Sequence, residues 1–213
     1  MRFNTKKLVT LAMLSAIAYI VVALGRIPIV LFLEFEAKDV IITIGGFIFG
    51  PLSAFLISLV VSLVEMVTVS DTGIIGLLMN VISSCAFACT AAFVYKRNRT
   101  LAGAAIGLIL GSLAMTSSML LWNYIITPVY MNLPREQVAE MLAPIFLPFN
   151  LIKSGLNAAL TMLLYKPVVT ALRKRNLVPK RETEGKKSFF NFGVVLTSLF
   201  VIITCILFIL ALR

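Results

Sequence analysis

Seven stretches of the chain are apolar with almost no internal charge, and most are long enough to cross a bilayer. A hydrocarbon core of ~30 Å needs ~20 predominantly apolar residues of helix at ~1.5 Å per residue. Residues 8–24, 52–69, 74–95, 102–126, 143–172 and 189–212 meet or approach that length, and a shorter stretch, 39–49, precedes the second of them. Lipid offers no partner to backbone N–H and C=O groups, so spans of this length are helices. A composition of 60% hydrophobic and 13% charged residues excludes an ordinary soluble domain. The expected fold is therefore an all-α integral membrane protein. An unbroken helix over 40–69 would be ~45 Å long, and Gly50–Pro51 divides it into a short helix and a span.

The net charge of +10 is distributed around the spans rather than over one surface. Fourteen basic residues fall at ends that share one side: Arg2, Lys6, Lys7, Lys96, Arg97, Arg99, Lys166 and seven between Arg173 and Lys187. Four fall on the other side, Arg26, Lys38, Arg135 and Arg213, which leaves Lys153 inside a span. Positive charge gathers on the cytoplasmic side, so a cytoplasmic amino terminus is expected. The same distribution argues against nucleic acid as a partner. Residues 176–188 are basic and polar and are expected to form a cytoplasmic linker. The amino-terminal stretch has the look of a signal peptide, but its apolar run is long and a membrane pattern resumes after it, so a retained helix is expected.

Several chemistries find no support. There is no histidine, no H-E-x-x-H, no pair of aspartates on one helix and no G-x-x-x-x-G-K-[ST] loop. Cys85, Cys89 and Cys205 lie in apolar stretches without further ligands, and free thiols are expected rather than a metal site or a disulfide. Neither an enzyme nor an ATPase is indicated.

The most informative polar residues lie on one helix face. At ~100° per residue, Asn150, Lys153, Asn157 and Thr161 fall within an arc of roughly 80°. A cation within a membrane costs at least ~2.5–3.5 kcal/mol on insertion scales and marks a ligand or ion site by default. The competing reading is that Lys153 snorkels and the amides bond across helices. Elsewhere, Ala12 and Ala16 form a small-residue face suited to close helix contact, and Gly103, Gly107 and Gly111 form another. Residues 25–39 mix apolar side chains with charge, as a loop folded over a pocket or an interfacial turn would. Glu65, near the end of its span, is either interfacial or a pairing partner, the interface being the ordinary place for it, and Asn80 either faces a pocket or bonds across helices. Trp122, Tyr124 and Tyr130 read as an interfacial belt, with Asn123 available to an outer pocket. Pro128 is expected to end its helix, a short surface helix to follow Pro134, and 189–212 to be a lipid-facing anchor.

Thr5–Lys6–Lys7–Leu8 leading into Ala12–Met13–Leu14–Ser15–Ala16, the charged stretch Glu34–Phe35–Glu36–Ala37–Lys38–Asp39, and Gly45–Gly46–Phe47–Ile48–Phe49–Gly50–Pro51 occur in that order. With Asn123, Asn150 and Lys153 they resemble the substrate-binding S components of energy-coupling factor vitamin transporters, most of all the riboflavin-specific ones, over residues 1–175. The resemblance implies a six-helix bundle in a prokaryotic plasma membrane that binds one vitamin at its extracellular side beneath the loop after the first helix. It implies riboflavin as the transported ligand, with no cofactor, and Asn123, Asn150 and Lys153 as hydrogen-bonding residues. Leu33 and Ala37 of the covering loop, with Asn80, Asn157 and Tyr124, complete the substrate-binding candidates. Ala12 and Ala16 would meet a transmembrane coupling subunit, and two cytoplasmic ATPases would supply energy. Another vitamin of the same class, pantothenate or thiamine, and a purely structural membrane subunit are the rival readings. The span at 189–212 lies outside the six-helix pattern.

Overall fold

The computed structural model describes residues 5–30, 33–70, 72–175, 177 and 192–211. The expected linker at 176–188 lies outside the described residues apart from Leu177, as do Arg2, Lys180, Arg181, Lys186, Lys187 and Arg213. The described chain is helical except for one hairpin. In order come α1 (Thr5–Leu24), β1 (Ile27–Val30), β2 (Leu33–Phe35), α2 (Lys38–Phe49), α3 (Pro51–Thr68) and α4 (Gly73–Ser84). A π turn, Cys85–Cys89, carries α4 into α5 (Thr90–Arg97), so the two make one continuous rod. Then follow α6 (Leu101–Met131), α7 (Arg135–Met141), a second π turn at Leu142–Phe146, α8 (Leu147–Lys174) and α9 (Phe192–Ala211). Cys85, Cys89 and Cys205 are free and half-buried.

Among the described residues, six helical stretches are long and apolar enough to cross a membrane, and α2 falls short at twelve residues. It survives because it is inside: Val40, Ile42, Ile44 and Phe47 are buried, and α1, α3, α5 and α8 all pack against it. The turn from α2 to α3 runs through Gly50 at φ 97°, a conformation that suits glycine, with Pro51 opening α3. The small-residue ladder on α6 brings backbones together. A Cβ on Gly107 would lie 2.7 Å from the Ala91 carbonyl oxygen, and one on Gly111 2.6 Å from that of Phe87. The core then fills with Leu14, Ile57, Phe87, Leu108 and Met115 from four segments.

Two expectations need correction. Pro128 does not end its helix: α6 continues to Met131 and is capped by Asn132 at φ 53°. Pro128 has no N–H to offer the Tyr124 carbonyl four residues back, so one helical bond is missing there while the helix runs on for three more residues. Glu65 is not an exposed acid at the end of its span but a pairing partner, fully buried, for reasons given below. The hairpin is a further departure, since a covering loop was expected where two short antiparallel strands form, with Ile27 opposite Phe35.

α9 packs against α8, where Ile202, Cys205 and Ile209 meet Ile152 and Leu156. Its remaining large side chains, including Leu196, Phe200 and Leu207, are exposed, in keeping with a lipid-facing span.

Candidate functional site

One end of the bundle is hollow. The carboxyl ends of α3 and α6, α4, the amino end of α8, and the hairpin with Arg26 just before it enclose a cavity of about 240 Å³. That is near the small end of the roughly 300–1,000 Å³ usual for small-molecule sites. Met79, Met119, Trp122, Ile126 and Phe149 supply apolar and aromatic wall, and Asn80, Asn123, Asn150 and Lys153 supply polar groups. The hairpin closes one side with Arg26, Leu33, Glu34 and Glu36. Leu33 also packs against buried Val138, Phe146 and Phe149, so α7 and the second π turn brace the hairpin from outside.

The cavity sits on an ion network. Arg26 reaches three carboxylates: Nε is 3.2 Å from Glu36 Oε1, Nη1 is 3.5 Å from Glu34 Oε2, and Nη2 bonds Glu65. Lys38 Nζ bridges Glu36 at 2.8 Å and Glu65 at 2.6 Å, and its side chain is 1% exposed. Asn80 Nδ2 donates to Glu65 Oε1 at 3.0 Å. Glu65 is therefore buried because two cations and an amide converge on it from three other segments. Beneath, Asp39 accepts from Ser84 Oγ at 2.5 Å and lies 3.5 Å from Asn157 Nδ2.

Lys153 is held more loosely. Nζ donates to the Glu34 carbonyl at 3.4 Å and lies 3.8 Å from Glu36 Oε2. It points into the bundle, 8% exposed, and does not snorkel. Asn150 Nδ2 donates to the Phe146 carbonyl at 2.7 Å, and Asn123 Oδ1 accepts from Thr127 at 3.0 Å. Among the described residues this leaves the Asn123 amide nitrogen and the Asn80 and Asn150 amide oxygens without hydrogen-bond partners. The cavity thus offers both donors and acceptors against an aromatic wall.

Residues 6–165 match the family described as ECF transporter, substrate-specific component. The chain belongs to that family. It is 29% identical over 181 residues to the riboflavin transporter RibU of Staphylococcus aureus, covering 80% of this chain and 94% of the relative. It is 31% identical over 163 residues to the riboflavin transporter FmnP of Bacillus subtilis, covering 70% and 85%. A solved structure described as the S component of a bacterial ECF transporter superposes with a TM-score of 0.67 at 28% identity, covering 79% of this chain and 98% of that one. This S component is a membrane transport subunit and not an enzyme.

Of the residues singled out from the sequence of this S component, Leu33, Asn80, Asn123, Asn150 and Lys153 come together at the cavity. Asn157, Ala37 and Tyr124 are not among its lining residues. Asn157 lies deeper, its Nδ2 3.4 Å from the Glu36 carbonyl. Ala37 packs with Phe35, Ile152 and Leu156, and Tyr124 is exposed on the outer face of α6. Trp122 and Tyr130 line the cavity, so the expected aromatic belt is divided between wall and exterior. Asn80 does both things open to it: it lines the cavity and bonds across to α3. Arg26, Glu65 and Thr127 were not anticipated at the site. The available signal was an acid on an apolar span and an arginine beside an apolar loop, two charges that needed each other.

The Glu36 carboxyl is subject to opposing effects. Burial raises it, but Lys38, Lys153 and Arg26 together outweigh burial and hold it down at about 2, against an ordinary 4.5. A depressed carboxylate stabilises the fold above its unfolded value, and that stabilisation is lost as pH falls through the folded value. The stability gap between wild type and Glu36→Gln in detergent should therefore be constant above pH 4.5 and close between 4.5 and about 2. Thermal unfolding across that range checks it; a gap that widens on acidification would contradict the pairing.

Proposed function

We propose that this S component captures riboflavin in the cavity from the extracellular side and delivers it through an energy-coupling module. The observation that carries the reading is the set of unused amide groups and the loosely held Lys153 ammonium facing Trp122 and Phe149. An isoalloxazine ring is flat and apolar on its faces, with carbonyls and ring nitrogens that accept and one imide N–H that donates. Asn123 Nδ2 and Lys153 Nζ suit the acceptors, and the Asn80 or Asn150 carboxamide oxygen suits the N–H. Riboflavin specificity in the named relatives supports the same ligand.

Orientation follows from charge. Lys6 and Lys7 begin α1, Lys96 and Arg97 end α5, and Arg173 and Lys174 end α8, all at the end of the bundle away from the cavity. The positive-inside bias supports a reading with that end in the cytoplasm of a prokaryotic cell and the cavity outside. On α1, Leu11, Leu14, Ala18 and Val22 face the core, while Ala12 and Ala16 are exposed and not covered by α9. An open small-residue face lets a second helix approach closely, which supports docking of a transmembrane coupling subunit there, with two ATPases behind it.

The test is visible absorbance of the detergent-purified protein before and after denaturation, with mass identification of what is released. Released riboflavin, or quenching of added riboflavin fluorescence at stoichiometric protein, is expected. Colourless protein that fails to quench would overturn the ligand, and screening other vitamins would then be the next step.

A further inference from the structure

We infer that α9 is a positioning element for this site: it completes the seat on which the hairpin rests, holds the hairpin over the cavity and so slows escape of the ligand; the inference rests on the flavin reading above. α9 lies beyond residues 6–165, the part of the chain that matches the family, and every residue lining the cavity precedes it. The site is therefore built without α9. A helix that does not build a site can still change how long a ligand stays in it.

α9 presents one stripe to the bundle. Ser198 is buried and Ile202, Cys205 and Ile209 are half-buried, at spacings of four, three and four residues that keep them on one helix face. Phe200 and Leu207, between them in sequence, are exposed. Lipid is as apolar as these side chains, so the seam is held by close packing and not by escape from water. A Cβ on Gly155 would lie 3.7 Å from Cys205 Sγ, which sets Cys205 beside the amino-terminal part of α8. The last turns of α9 thus reach the level of the hairpin. There Ile202, Cys205 and Ile209 share one apolar cluster with Ile29 and Phe35 of the hairpin and with Ile152 and Leu156 of α8.

The hairpin depends on such contacts. Its strands are four and three residues long, and a two-stranded hairpin has marginal stability by itself. Its charged side is tied down by the ion network, and its apolar side by two seats. Leu33 rests among Val138, Phe146 and Phe149, and Phe35, 8% exposed, among Ile152, Leu156 and the α9 stripe. A ligand in the cavity meets Leu33, Glu34 and Glu36 and so favours the seated hairpin. α9 favours the same state by packing into the cluster that holds Phe35. Two contributions that favour one state are coupled, and the coupling is reciprocal: α9 retains the ligand, and the ligand retains α9. A helix that served only as a lipid-facing anchor would show neither effect.

Two measurements on the full chain in detergent test this. The first is the rate of riboflavin release, followed by fluorescence recovery on rapid dilution of the loaded protein. Ile202→Ala with Ile209→Ala, which thins the seam, should release riboflavin at least ~3-fold faster than wild type, because changes in retention show chiefly in the dissociation rate. Phe200→Ala with Leu207→Ala removes apolar bulk from the exposed face of the same helix and should leave the rate as in wild type. The second is alkylation of Cys205 by N-ethylmaleimide in wild type, read by peptide mass so that Cys85 and Cys89 are counted apart. Saturating riboflavin should slow it at least ~3-fold, the reciprocal effect. Should the seam variant fail to fold, the alkylation rate decides alone. Release from the seam variant at the wild-type rate would overturn the inference while leaving the flavin reading intact. So would equal acceleration in both double variants, or a Cys205 rate indifferent to riboflavin. Wild-type protein that binds no riboflavin would overturn the flavin reading, and this inference with it.

Discussion

Lys153→Ala is expected to weaken riboflavin binding by about 10- to 100-fold, the equivalent of losing one hydrogen bond from a charged donor, about 1.5–3 kcal/mol. The fold should barely notice. The ammonium's present contacts are long, 3.4 Å to the Glu34 carbonyl and 3.8 Å to Glu36, so little native stability depends on them. Glu36 keeps Lys38 at 2.8 Å and Arg26 at 3.2 Å when Lys153 is removed. Affinity should thus fall while the unfolding midpoint stays within the scatter usual for a surface substitution. Asn150→Ala should also weaken binding, though less, because a neutral bond contributes about 0.5–1.5 kcal/mol. Its side chain also bonds the Phe146 carbonyl one turn back, so a small stability loss accompanies it. Titration of both variants beside wild type checks the pair. If both bind riboflavin as wild type does, the ligand does not sit where these side chains point.

The spans were legible because hydropathy over ~20 residues is a property of one segment at a time. The polar stripe on α8 was legible for the same reason: Asn150, Lys153, Asn157 and Thr161 share a face by helical period alone, and all four are buried. What could not be read depends on segments meeting. Glu65 lies at the end of an apolar span, where an exposed acid is the ordinary outcome. It is buried only because Arg26, Lys38 and Asn80 arrive from elsewhere in the chain. The hairpin strands are four and three residues long, too short for alternation to register, and β1 contains Pro28. Asn157 separates face from depth. It shares the stripe with Lys153, yet one further turn along α8 takes it below the cavity to Asp39. Periodicity says which side of a helix a residue is on, and the tertiary fold decides what is there to meet it.

The largest effect on stability is expected at Lys38. Its ammonium is the bridge between Glu36, at the foot of the hairpin, and Glu65, inside α3, and neither acid is more than slightly exposed. Lys38→Met keeps most of the side-chain volume and removes the charge, so two buried carboxylates are left with Arg26 and, for Glu36, the more distant Lys153. Removing one partner of a buried ion pair typically destabilises by about 3–5 kcal/mol, because the charge left behind has lost its compensation. Loss on that scale should also free the hairpin, so the variant is expected to bind riboflavin poorly even though Lys38 does not line the cavity. Pairing the substitution with Glu65→Gln separates a broken pair from a merely absent one. If uncompensated charge is the cause, the double variant is more stable than the sum of the two single losses, with a coupling of about 0.5–3 kcal/mol across the cycle. Equilibrium unfolding of the four proteins in one detergent measures it. Strict additivity would mean that Lys38 supports the fold through its packing and not through the two acids it joins.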